Sequence, residues 1–441
     1  MRDLRRQALE SGKTVSRKAQ SRISSRASSA TNSRATSRNP SRHASDDDEE
    51  NMSDSTNWSV NSLDEMLSPE LPDDVAGTWK QGLADRIEEI IDRKRSSVQG
   101  RESTLNVYVY YLMSHYCGEE IENKASELFP ALLKSVKMES SEKETCLALR
   151  AIALTLITNP SETAYDGLYQ PLKRAYTDSE FHSVKATAIH TLSAAAVYGG
   201  ASDSATEDAM DDLLEIIESD GTSVAADDSG EVVTAACQAW GFLATFVDDL
   251  EDKTEPAADV FVEQLDSSDT TVQVAAGENI ALLYEKSYTP REANDEPASD
   301  GDDDDESATI ESHFVKRYEV YRQKHQLQHT LSQLATESSK RIAKKDRKTL
   351  HVNFADILNT IEHPALGPRY SMARDPDGRM YGSRMTIRVH KAGIMRIDKW
   401  WKLHRLQALK RLLGGGFVHH YQDNEVVFDS LPIMIQADND D

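Results

Sequence analysis

Four alanine-rich apolar segments at a nearly regular interval restrict the folds open to this chain more than any other feature. They are residues 146–158 (CLALRAIALTLIT), 184–196 (VKATAIHTLSAAA), 233–246 (VTAACQAWGFLATF) and 272–285 (VQVAAGENIALLYE). Their starts lie about 40 to 50 residues apart, the period of HEAT and armadillo units. A more amphipathic stretch precedes each; examples are 127–136 around Leu128, Leu132 and Leu133, 210–217 around Leu213, Leu214 and Ile217, and 256–265. One helix buried nearly all round and one with a wet face, repeated, is how a helical solenoid builds a continuous core. Small residues such as Ala194–Ala196 and 275–277 let neighbouring helices approach closely. Residues 79–97 and 105–116 read as a first pair, with Trp79, Leu83, Ile87 and Ile91 on one stripe. A multi-helix bundle gives a similar pattern, but the period favours the solenoid.

Charge divides the chain differently. Residues 1–45 carry 11 Lys/Arg against 2 Asp/Glu, 46–306 carry 17 against 58, and 307–441 carry 22 against 15. An acidic body between basic ends repels nucleic acid with its middle and attracts phosphate with its ends. Residues 1–57 hold repeated Ser-Arg dipeptides and almost no large apolar groups, so they are expected to stay disordered, as a basic arm that phosphorylation could tune or as a plain solvated tail. Residues 58–290 form the expected repeat domain. An acidic linker, 291–308, follows, and its aspartates lack the spacing of a calcium loop.

Residues 309–350 read as one long polar helix with a sparse stripe at Phe314, Tyr318, Tyr321, Leu331 and Leu334. A shorter helix at 353–363 carries Phe354, Ile357, Leu358 and Ile361 and is ended by Pro364. Together they make a segment 309–363. Residues 364–437 are expected to form a small α+β domain. In it, 384–390 and 394–397 are strands, Asp398 N-caps a helix to Leu413, and Gly414–Gly416 ends that helix. The expected fold class is mainly α: an armadillo-like solenoid, a long basic helix and this small domain.

Few residues suggest chemistry. Three cysteines, Cys117, Cys146 and Cys237, lie far apart in apolar helical contexts and read as core fillers in a reducing compartment. No apolar run spans a bilayer and the polar start is no secretory leader, so the expectation is a soluble intracellular protein with no membrane partner. His404, His419 and His420 with Asp423 and Glu425 have no zinc spacing, so no metal and no other cofactor is expected. No nucleophile–base arrangement can be argued, so neither an enzyme nor a small-molecule substrate is expected. The sharpest feature is the basic run Lys340, Arg341, Lys344, Lys345, Arg347 and Lys348. At helical spacing it would present a cationic edge to phosphates. It also reads as a nuclear import signal, or as an ordinary solvated or body-docked helix end. A second basic-aromatic cluster, Lys399, Trp400, Trp401, Lys402, Arg405, Lys410 and Arg411, could stack on bases or pack inside.

Two stretches carry a family resemblance. Ile397-Asp398-x-Trp400-x-Lys402-x-His404, then Leu409-Lys410 and Leu413-Gly414-x-Gly416, then His420-x-Gln422-x-Asn424-Glu425, resembles the C-terminal signature of the interferon-related developmental regulator family. Residues 334–340 (LATESSK), the basic run and Phe354-x-Asp356-Ile357-Leu358 resemble that family's segment between its two domains. The resemblance covers roughly 60–435, and departs from the animal pattern at 367–383, at Trp401 and at 426–435. It implies an armadillo-like N-terminal domain and a non-enzymatic regulator of gene expression, cytoplasmic and nuclear. Members are described as transcriptional co-regulators in histone-deacetylase-containing complexes and as ribosome-binding silencers of translation. It also implies binding or packing roles for Asp398, Trp400, Lys402, His404, His420, Gln422, Asn424 and Glu425. Two readings follow: a scaffold whose basic helix engages the ribosome or structured RNA, and a nuclear co-regulator acting only through regulatory protein complexes.

Overall fold

The computed structural model describes residues 79–93, 96–292, 313–336, 344–365, 367–368, 385–388, 393–431 and 434–435. All belong to one compact unit, Met52–Asp441. The tail 1–57 and nearly all of the acidic linker lie outside the described residues. The fold is mainly helical.

Five helices stand side by side in chain order: α2 (Val98–Ser114), α5 (Glu142–Thr158), α7 (His182–Tyr198), α9 (Gly230–Ala244) and α11 (Thr270–Lys286). Each packs on the next and is backed by a second helix. The backing helices are α1 (Trp79–Ile91), α4 (Ala125–Met138), α6 (Ala164–Asp178), α8 (Asp203–Glu218) and α10 (Glu251–Glu263), with a one-turn α3 (Gly118–Ile121) between α2 and α4. The four alanine-rich segments are α5, α7, α9 and α11, and nearly every side chain along α5 is buried. The backing helices bury one stripe each, as in α8, where Ala209, Met210, Leu213, Ile216 and Ile217 face inward. Polar cross-links recur at the interfaces. The Thr191 hydroxyl donates to the Leu149 carbonyl across α5 and α7 (3.2 Å), and Asn279 Nδ2 donates to the Cys237 carbonyl across α9 and α11 (2.8 Å). Ala195 and Ala276 are fully buried in this packing. Replacing Ala195 by Leu should overpack the row and destabilise it by about 1–3 kcal/mol, read as a lower unfolding midpoint.

The single long helix expected over 309–350 is not what forms. Phe314–Lys316 is a strand, β2, antiparallel to β1 (Tyr288–Pro290), with Tyr288 opposite Lys316 and Pro290 opposite Phe314. Two separate helices follow, α12 (Lys324–Thr336) and α13 (Lys344–Glu362), and the second absorbs the short helix expected at 353–363. The aromatic and β-branched residues of 314–321 favour an extended chain once a partner strand is available. The residues on either side of the acidic stretch thus pair with one another. Helix α13 packs on α11, burying Phe354, Ile357 and Ile361 completely.

Beyond this, β3 (Met385–Arg388), β4 (Gly393–Ile397) and β5 (Met434–Ile435) form an antiparallel sheet in that order. The last helices are α14 (Trp400–Leu413), α15 (Phe417–Asp423) and α16 (Glu425–Ser430). Their apolar side chains join the same continuous core as the row.

Candidate functional site: a helix laid across the row

Helix α14 lies across the row and touches α2, α5, α9 and α11. The body supplies what the helix ends lack. At its start, Asp398 does not cap. Lys399 is the N-cap residue and makes no side-chain cap bond, while Asp398 pairs with Lys402 at 2.5 Å. The cap comes from α11: Glu285 accepts from the Trp400 amide (2.9 Å) and the Trp401 amide (3.1 Å). At the other end, Arg150 of α5 donates to the carbonyls of Arg411 (3.3 Å) and Leu412 (3.4 Å). A carboxylate at the positive end and a guanidinium at the negative end both suit the helix dipole. Burial pushes the Glu285 carboxyl above its usual range, although Lys399 and the two amides pull the other way.

The middle of α14 is fixed by close approach. A Cβ on Gly241, in α9, would stand 2.1 Å from Asn279 Oδ1 and 2.5 Å from the His404 ring. Glycine inside a helix is destabilising by about 1 kcal/mol relative to alanine, so its presence there marks a required contact. Gly277 of α11 serves α13 in the same way, since a Cβ would meet Ile357 Cδ1 at 2.7 Å. Polar side chains of α14 find partners in the body. Gln407 donates to Glu278 (2.9 Å) and Arg411 donates to Gln238 (2.7 Å) and approaches His190 Nδ1 (3.4 Å). Burial lowers the Arg411 pKa to about 10, and burial beside that cation holds His190 well below its usual range and hence neutral. Arg405 donates to the Thr245 hydroxyl and carbonyl (3.0 and 2.8 Å) and lies between the rings of Phe246 and Trp401.

The signature residues fall into two groups. Trp400 is fully buried and donates its indole N–H to the Thr360 hydroxyl on α13 (2.7 Å). His404 is buried against α11, with Nε2 3.4 Å from the Glu278 carbonyl oxygen. His420 is buried with Nε2 2.7 Å from the Leu112 carbonyl oxygen of α2. Asn424 donates to the Ile157 carbonyl of α5 (2.9 Å) and accepts from the Val426 amide (3.1 Å), capping α16. These four bind α14–α16 to the row. Gln422 and Glu425 are exposed, and Asp398 and Lys402 pair on the rim.

The basic-aromatic cluster around Trp400 is therefore largely committed inside the molecule: Lys399 Nζ donates to the Ala365 carbonyl (2.9 Å), and Arg405 and Arg411 are bound as above. The other basic run stands apart. Lys340 and Arg341 lie outside the described residues. Lys344, Lys345 and Lys348 occupy the opening turns of α13, and Arg347 there is half-buried. Glu285, Arg150, Glu278 and Asn279 escaped the sequence reading. The one local sign of this docking was glycine at 241 and 277 inside otherwise alanine-rich helices.

The body is built of paired helices and anchors its own C-terminal helix, and no group of three or more metal-ligating side chains stands together among the described residues. The family profile of interferon-related developmental regulators matches residues 44–362. The chain belongs to the interferon-related developmental regulator family. It is similar to an uncharacterized protein of Schizosaccharomyces pombe, 31% identical over 349 residues, covering 78% of this chain and 72% of that one. It is also similar to interferon-related developmental regulator 1 of Homo sapiens, 25% identical over 410 residues, covering 88% and 80%. A shorter match joins it to interferon-related developmental regulator 2 of Mus musculus, 26% identical over 205 residues, covering 45% and 36%. Among the described residues, no helix is long and apolar enough to cross a membrane.

Proposed function

We propose that this protein is a non-enzymatic regulator of gene expression, an armadillo-type scaffold that grips ribosomal or other structured RNA through the basic start of α13 and so controls translation. The observation that carries the reading is the placement of that run. Lys344, Lys345 and Lys348 open a helix whose far half is fixed in the core by Phe354, Ile357 and Ile361, on a body that is otherwise strongly acidic. A rigid anchor lowers the ordering cost of phosphate contacts, and the acidic surface discourages other orientations. The main competing cations, Arg405 and Arg411, already have internal partners. A shuttling protein, both cytoplasmic and nuclear, fits the same run acting in import.

The test is salt-dependent co-sedimentation with ribosomes, comparing the native chain with a Lys344→Glu, Lys345→Glu, Lys348→Glu variant. Arg347 is left in place because it is half-buried. The variant should lose ribosome binding at moderate salt, keep its unfolding midpoint, and show a log-log salt slope flatter by about one unit per lost phosphate contact. Normal ribosome binding with failed nuclear entry would sink the RNA reading in favour of a co-regulator acting through protein complexes. Loss of the fold would show instead that the run docks on the acidic body.

A further inference from the structure

Between Glu319 and Glu337 the chain holds no acidic residue, although Asp and Glu outnumber Lys and Arg by 75 to 50 overall. Helix α12 fills most of that interval. Its Leu327 and Leu331 are buried, and the opposite stripe, Gln326, His329 and Gln333, is exposed. The spacing of three and then four residues puts all three side chains on one face. From Gln326 to Gln333 the stripe runs about 10 Å, given a rise of about 1.5 Å per residue. Two of the backing helices, α8 and α10, expose a different kind of stripe. Helix α8 shows Asp211, Glu215 and Glu218 to solvent, and α10 shows Glu251, Glu255 and Asp259.

Position makes the difference matter. Helix α12 packs along α13, and only residues 337–343 join them, so its last turns flank the basic start of α13. A polyanion seated on Lys344, Lys345 and Lys348 must pass the neighbouring surface. Carboxylates there would repel it, and α12 carries none. Glutamine amides and histidine ring nitrogens both donate and accept. Such groups contact phosphate and sugar oxygens and the edges of unpaired bases, and the ribose 2′-hydroxyl offers them a partner that DNA lacks.

We infer that the Gln326–His329–Gln333 stripe of α12 is a second contact strip, without lysine or arginine, that reads RNA as RNA, beside the basic start of α13. The inference rests on the RNA reading proposed above and assigns it a division of labour. The lysines attract phosphate without regard to the sugar, and the stripe discriminates ribose from deoxyribose.

Its test uses the full chain and two probes, an RNA hairpin and a DNA hairpin of the same sequence, titrated at several salt concentrations. The variant is Gln326→Ala, His329→Ala, Gln333→Ala, in which alanine raises helix propensity and the buried leucines stay. Three lost hydrogen-bonding groups should weaken RNA binding on the order of tenfold or more. The salt slope should not change, and the preference for RNA over DNA should fall toward one. If this variant binds RNA as the native chain does while the lysine variant fails, the stripe has no role and the RNA reading still stands. If both variants bind normally, both ideas fall. An equal loss for RNA and DNA, or a changed salt slope, overturns the ribose-reading role.

Discussion

Replacing Trp400 by alanine should destabilise the protein by about 3–5 kcal/mol, the usual range for truncating a buried aromatic side chain. The indole is fully buried where α11, α13 and α14 meet. Its loss would leave a cavity between elements far apart in sequence, which cannot close without moving α14 off the row. It would also remove the donor to the Thr360 hydroxyl, a group that itself donates to the Asp356 and Gly367 carbonyls. Trp400→Phe should be milder, because most of the volume stays and one hydrogen bond of about 1 kcal/mol is lost. Denaturant melts of the three proteins check this. Equal midpoints for the native chain and the alanine variant would mean that α14 is not a structural part of the body.

How much of this could be read beforehand depends on the range of the forces involved. The helix pairs were legible because their signal is local. Each alanine-rich segment must be buried on all sides, and segments such as 146–158 and 184–196 announce that within a dozen residues. The stripe Phe354, Ile357 and Ile361 was legible for the same reason. The placement of α14 was not. Arg405 and Arg411 look alike in a sequence whether they face solvent or a partner about 160 residues away, as Arg405 faces Thr245. Trp400 and Trp401 beside them left both readings open, stacking on bases or packing inside. Asp398 has the right type and position for an N-cap, yet the cap is Glu285, 115 residues before the Trp400 amide that it accepts from. The long helix over 309–350 misled because Phe314, Tyr318 and Tyr321 are spaced for a helical stripe, and only the β1 strand at 288–290 shows that the chain is extended there. Gly241 and Gly277 carried the missing information faintly. Each marks where a distant helix presses on the row, without saying which one.

Glu144→Ala should have an effect of similar size through charge rather than volume. The Glu144 carboxylate, on α5, is nearly inaccessible and is held from two sides. Arg101 of α2 donates to it with Nε and Nη2, both at 2.8 Å, and Arg93, just beyond α1, donates at 2.9 Å. Removing it strands two mostly buried guanidinium groups between the first three long helices. Breaking a buried pair in this way typically costs about 3–5 kcal/mol, because the remaining charge stays buried without its partner. Glu144→Gln keeps the shape and one acceptor oxygen and should fall between. The same group makes an acid prediction. Burial alone would raise the carboxyl pKa, but hydrogen bonds from Arg101 and Ser135 and the charges of Arg101 and Arg93 outweigh it, and the pKa lies below its ordinary value. A folded-state pKa depressed below the unfolded one gives stability that is complete above the unfolded pKa and fades as pH falls through the folded one. The gap between the native chain and Glu144→Gln should therefore be constant from neutral pH down to about 5, given an unperturbed glutamate pKa of about 4.3, and should shrink only below it. A gap that already narrows between pH 7 and 6 would mean that Glu144 is not held ionised by the two arginines.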